Sequence, residues 1–146
     1  MVKFSVSCLL AATLLTSFTP LNIGKIRVEV VGLKNNKGKV LLSLFNKQGA
    51  KVFPESVKGA YKSVQLVIEG QKAFATFEQV PHGDYAIALF HDENNNRKID
   101  KNFLGVPQEG YAFSNNYHPL ITSPSFKKAN FTLNRSSKTL RLKMIY

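Results

Sequence analysis

The six residues from Tyr85 to Phe90 constrain this chain more than any other stretch, because as a strand they are apolar on both faces. Tyr85, Ile87 and Leu89 lie on one face, and Ala86, Ala88 and Phe90 on the other. A strand without a polar face has to be covered on both sides, which places it in the middle of a fold. Shorter patterns surround it. Ile26, Val28 and Val30 alternate with Arg27 and Glu29, and Val40 to Phe45 puts Leu42 and Leu44 on one face. Between these two runs, Asn35-Asn36-Lys37-Gly38 is a turn signal, so they are expected to form an opening hairpin. Val64, Leu66 and Ile68 alternate, Glu69-Gly70-Gln71 turns the chain, and Ala73 to Phe77 returns. Phe131 and Leu133, then Leu140, Leu142 and Met144, repeat the pattern near the end. Seven short strands with no long helical period predict an all-β chain, an antiparallel two-sheet β-sandwich of the Ig-like or transthyretin-like kind.

The first residues predict export. Lys3 is followed by an uncharged run from Phe4 to Leu15, then Thr16, Ser17, Thr19 and Pro20. That is the length of a signal-peptide core; a retained anchor is the alternative, since uncharged residues continue to Gly24. The expected organisation is a signal peptide over 1–23 and one β-sandwich domain over 24–146, secreted or periplasmic and monomeric. Cys8, the only cysteine, falls in the leader. The mature chain would then hold no disulfide, no thiol nucleophile and no zinc–thiolate site. The net charge of +11 comes from scattered lysines such as Lys34, Lys37, Lys39, Lys47, Lys51, Lys58 and Lys62. Solubility and protection of strand edges account for it, as does attraction to an anionic surface; cell-surface polysaccharide, lipid or protein are the candidate partners. Nucleic acid is not expected, because no binding motif is present.

The alternation stops between His91 and Lys128. Loops this long are usually functional or disordered. Phe103, Leu104, Val106, Tyr111, Phe113, Leu120, Ile121 and Phe126 are expected to anchor the segment by folding it back onto one end of the sandwich. Within it, Asp92, Asn94, Asn96 and Asp100 space oxygen side chains as a Ca²⁺ loop does, with the Lys98 carbonyl at the seventh position and Glu109 able to close the shell. Phe103 stands where an EF-hand needs its bidentate Glu, and Arg97 where such a loop favours glycine. The competing reading is an Asx-rich turn in which these side chains bond their own backbone. A second cluster sets Tyr111 and Phe113 beside Asn115 and Asn116, either a ligand-recognition surface or a packed loop. His91 could join that surface. No metalloprotease spacing or nucleophile elbow is present, so catalysis, a small metal-dependent hydrolase built on His91, Asp92 and Glu109, is the weaker alternative.

The run from His91 through Asn116, with Gly83-Asp84-Tyr85 before it and Pro124-Ser125-Phe126 and Ala129-Asn130-Phe131 after it, resembles the signature of the DUF2141 family, exported bacterial proteins whose function is not established. The resemblance implies the fold and export and brings no catalytic assignment. The family pattern commonly has glycine at the positions of Asn95 and Arg97. Arg tolerates a left-handed backbone poorly, so this departure bears on the metal geometry. These readings converge on an exported, non-catalytic binding or structural module with a loop that Ca²⁺ could stabilise. A cationic binder of anionic glycans or lipids is a further alternative.

Overall fold

The computed structural model describes residues 22–146. Cys8 and residues 1–21 of the expected signal peptide lie outside them. Eight strands form two sheets: β1 (Ile23–Val31), β2 (Lys39–Phe45), β3 (Lys62–Leu66), β4 (Ala73–Pro81), β5 (Gly83–Asp92), β6 (Tyr111–Phe113), β7 (Phe131–Leu133) and β8 (Ser137–Lys143). One sheet has the order β4-β1-β8, the other β3-β2-β5-β6, with β7 also on β5. Every pairing is antiparallel except that of β1 with β8. Among the described residues, the one α-helix is a single turn, α1 (Phe126–Ala129), beside three short 3-10 turns. Among the described residues, no helix is long and apolar enough to cross a membrane.

The alternating residues face each other between the sheets. Ile26, Val28, Val30, Phe77, Val80 and Leu142 from one sheet meet Val40, Leu42, Leu44, Leu66, Ile87 and Leu89 from the other in one buried cluster. Each such side chain contributes about 1.5–3 kcal/mol by leaving water. β5 is central, as its two apolar faces require. It pairs with β2 along one edge, and with β7 and then β6 along the other. Its second face is covered by a smaller cluster in which Ala86 packs with Phe45, Phe53, Phe113, Phe126 and Ala129.

Two expectations need correction. The first two strands do not form a hairpin: β1 and β2 belong to different sheets. Alternation specifies which face is buried and is silent about the neighbour. Here the buried Leu33 carries the connection across the core instead of letting it fold back. The segment after β5 also contains a strand, β6, which divides what reads as one long loop.

Candidate functional site

The loop from Glu93 to Gly110 is shaped by two carboxylates buried at its root. Asp92 ends β5, and its Oδ1 accepts from the Asn96 N–H (3.0 Å) while Oδ2 accepts from the Arg97 N–H (2.9 Å). Glu109 also divides its oxygens, taking the N–H of Glu93 (2.9 Å) and of Asp100 (3.0 Å). A buried carboxylate is costly unless hydrogen bonded, and each of these meets two backbone donors. Reaching this arrangement requires left-handed backbone at Asn95 (φ 61°) and Arg97 (φ 63°). Asn tolerates that conformation, whereas Arg adopts it here because its own N–H and that of Asn96 are captured by Asp92.

Asn94 and Asn96 complete the turn. Their Oδ1 atoms accept from the N–H groups of Asn96 (3.1 Å) and Lys98 (2.8 Å), and their amide groups donate to Asp100, at 2.7 Å and 2.9 Å. The candidate ligands Asp92, Asn94, Asn96 and Asp100 are thus brought together, and Glu109 joins them through the Asp100 backbone. Lys98 is exposed on the rim. Among the described residues, no group of three or more His, Cys, Asp and Glu side chains is placed to hold a metal ion.

His91 is buried beneath this loop. Its Nε2–H donates to the Lys37 carbonyl (2.7 Å), and its Nδ1 accepts from the Tyr146 hydroxyl (2.8 Å), which in turn accepts from the Lys34 N–H (2.8 Å). Because the Lys37 carbonyl can only accept, the neutral ring carries its proton on Nε2. Burial raises the Tyr146 phenol above its ordinary pKa, the nearby Glu93 charge adds to this, and the Lys34 N–H opposes it. The phenol therefore stays protonated and able to donate. Two glycines make the fit. A methyl group on Gly38 would lie 1.8 Å from the Asp92 carbonyl oxygen, and one on Gly110 would lie 2.5 Å from the Tyr146 ring.

Tyr111, Phe113, Asn115 and Asn116 do not form one surface with this loop. Phe113 is buried against Phe53 (6.2 Å between centroids) and Tyr111 (5.8 Å). The Asn115 amide donates to the Asn130 carbonyl (2.7 Å). Asn116 ties to β8 through the Arg141 carbonyl (3.1 Å) and the Lys143 N–H (2.9 Å).

The expected apolar anchors are also corrected. Phe113 and Phe126 are buried, but Phe103 is 94% exposed, Leu104 72% and Val106 53%, and Leu120 and Ile121 are 96% and 95% exposed. Phe103 and Leu104 occupy the middle of a tight turn, where a side chain has nothing to pack against. Apolar character alone does not say whether a residue points in or out. The Tyr146 and Lys37 partners of His91 are equally hidden in the sequence, because they lie far from it along the chain.

Residues 28–141 match the family model described as "Uncharacterized protein conserved in bacteria (DUF2141)". No curated protein and no solved structure matches the chain.

Proposed function

We propose, for a chain that belongs to the DUF2141 family, that it serves as an exported, non-catalytic binding module whose two sheets hold the 93–110 loop rigid against a partner. The observation that carries this reading is how the loop spends its polar groups. A general acid or base needs a proton or lone pair free toward a substrate. Asp92 and Glu109 are buried and turned onto backbone N–H groups, and His91 is buried between Lys37 and Tyr146. What faces outward is Arg97, Lys98, Lys101 and an apolar tip. Equilibrium binding and turnover assays run in parallel test the reading. Retention on a ligand without turnover of ester, phosphoester or glycoside substrates is expected. Turnover that His91→Gln abolishes without loss of stability would overturn it.

A second reading, Ca²⁺ binding by Asp92, Asn94, Asn96, the Lys98 carbonyl, Asp100 and Glu109, is favoured by the path of the loop. Asn95 and Arg97 take left-handed backbone where a cation loop turns, and two amides already converge on Asp100. Those amides give Asp100 the positive partners that an ion would supply, so Ca²⁺ would have to turn them until their oxygens face inward. Binding to the folded state alone stabilises it by about 2.7 kcal/mol at a hundredfold excess over the dissociation constant. The expected gain between chelator and several millimolar calcium should vanish in Asp100→Ala and survive in Glu93→Ala. An unchanged melting curve for the parent protein would remove the calcium reading.

A further inference from the structure

The hairpin inside the 93–110 loop exposes apolar side chains on a frame that is unusually well held. Gln108 N–H donates to the Asp100 carbonyl (2.8 Å), and Lys101 pairs with Pro107. Asn102 N–H donates to the Val106 carbonyl, and Gly105 N–H returns to the Asn102 carbonyl, both at 2.9 Å. The Asn102 side-chain oxygen accepts two further N–H groups, those of Leu104 (2.9 Å) and Val106 (3.0 Å). Gly105 is left-handed (φ 79°), as expected of a three-residue hairpin loop closed by a glycine bulge. Phe103 and Leu104 therefore stand at the apex of a fixed turn, 94% and 72% exposed. A chain seeking only solubility would put polar residues there, where any turn former would serve.

Three exposed cations stand near the tip. Arg97, Lys98 and Lys101 are exposed, and among the described residues none of the three is in an ion pair. The nearby carboxylates are already taken up by hydrogen bonds: Asp92 and Glu109 by loop N–H groups, Asp100 by the Asn94 and Asn96 amides, and Glu93 by the Asn35 amide. Lys101 lies two residues from Phe103 and Lys98 five, so chain length alone keeps their Cα atoms within about 18 Å of the tip. A projecting apolar tip flanked by unpaired cations fits a surface that is apolar just below an anionic layer, since both halves of the contact then gain at once. We infer that this tip docks the protein peripherally on a lipid surface bearing anionic headgroups, with Phe103 and Leu104 entering the acyl boundary and Arg97, Lys98 and Lys101 at headgroup level. The inference rests on the binding-module reading and gives it a partner. Because the frame is already formed, docking orders few further groups.

The test is co-sedimentation of the purified protein with vesicles of phosphatidylcholine alone and of phosphatidylcholine mixed equally with phosphatidylglycerol. All variants keep the same N-terminus, so any contribution from the first residues cancels. Binding to the anionic vesicles is expected to exceed that to neutral ones. Phe103→Ser with Leu104→Ser should weaken it by about tenfold or more. Lys98→Gln with Lys101→Gln should weaken it by an order of magnitude on anionic vesicles and leave neutral ones unchanged. Leu120→Ser with Ile121→Ser, equally exposed but without the cations, should bind as the parent does. Unchanged melting curves would show that the tip variants still fold. Vesicle binding that ignores Phe103 and Leu104 would overturn the inference, and so would no binding by the parent. If the parent ignores vesicles but is retained by an anionic polysaccharide or by a protein through the same tip, the lipid assignment fails and the binding-module reading stands. Catalytic turnover would remove that reading instead.

Discussion

Residues 93–110 and residues 117–125 are both irregular surface segments, and both expose large apolar side chains, yet they are held in opposite ways. The first is stitched by its own side chains. Asp92, Asn94, Asn96, Asp100, Asn102 and Glu109 together bond seven backbone N–H groups and two side-chain amides within the loop, with two carboxylates buried at its base. In the second, among the described residues, no hydrogen bond joins 118–124 to the rest of the chain, although the segment is pinned at its far end by buried Phe126. The difference teaches that exposure and rigidity are separate properties. Polar side chains turned onto backbone fix a loop without a core beneath it, whereas prolines and a single aromatic anchor leave the intervening residues to solvent.

The sharpest way to break the first loop is at its root. Gly38→Ala would put a methyl group 1.8 Å from the Asp92 carbonyl oxygen in a backbone of φ 64°. The loss is expected to exceed about 4 kcal/mol, read by urea unfolding or as failure to accumulate folded protein. Gly105→Ala, at φ 79° with nothing within 4 Å, should cost only about 1 kcal/mol. Equal costs at the two glycines would show that the close approach to Asp92 is unimportant. Next in size is Asp92→Ala, which strands the Arg97 N–H and leaves the Asn96 N–H only its bond to Asn94, and should cost about 2–3 kcal/mol. Thr122→Ala, in the other segment, should stay within about 0.5 kcal/mol by the same measurement. Glu109→Gln keeps one acceptor and turns an amide donor toward an N–H, a smaller loss of about 1–2 kcal/mol. Its hydrogen-exchange signature should be confined to the amides of Glu93 and Asp100. The smallest perturbation is proteolytic. Chymotrypsin should cut after Leu120 well before Phe103 or Leu104, because cleavage needs a local opening that the stitched loop resists. Simultaneous cutting at both places would erase the contrast.

How much of this was legible in the sequence follows from what each pattern encodes. The two-sided apolarity of Tyr85 to Phe90 announced the central strand, since a face must be covered whatever covers it. The pairing of β1 with β4 and β8 was not legible, because alternation in Ile26, Val28 and Val30 carries no record of the neighbour. β6 was missed because Tyr111-Ala112-Phe113 is too short to show a period, and its strand character comes from the free edge of β5. In the candidate site, the spacing of Asp92, Asn94, Asn96 and Asp100 marked the turn in which these side chains meet one another and their own backbone. Glu109 was legible only as a carboxylate able to close a cation shell, and its two backbone partners were not legible. The Lys34–Tyr146–His91 chain was invisible, since it joins parts of the sequence that meet only once both sheets exist.

The parallel pairing of β1 with β8 sets a clock for folding. Lys25 finds Ser137, and Val31 finds Lys143, only after nearly the whole chain has left the ribosome. Until then the three-stranded sheet is missing one of its outer members, and Ile26, Val28 and Val30 have lost the cover that Leu142 supplies. Contacts so distant in sequence close slowly, and the entropy of closing them is spent before they return any stability. A growing chain of this design stays pliable until β8 is made, and only then locks its shape.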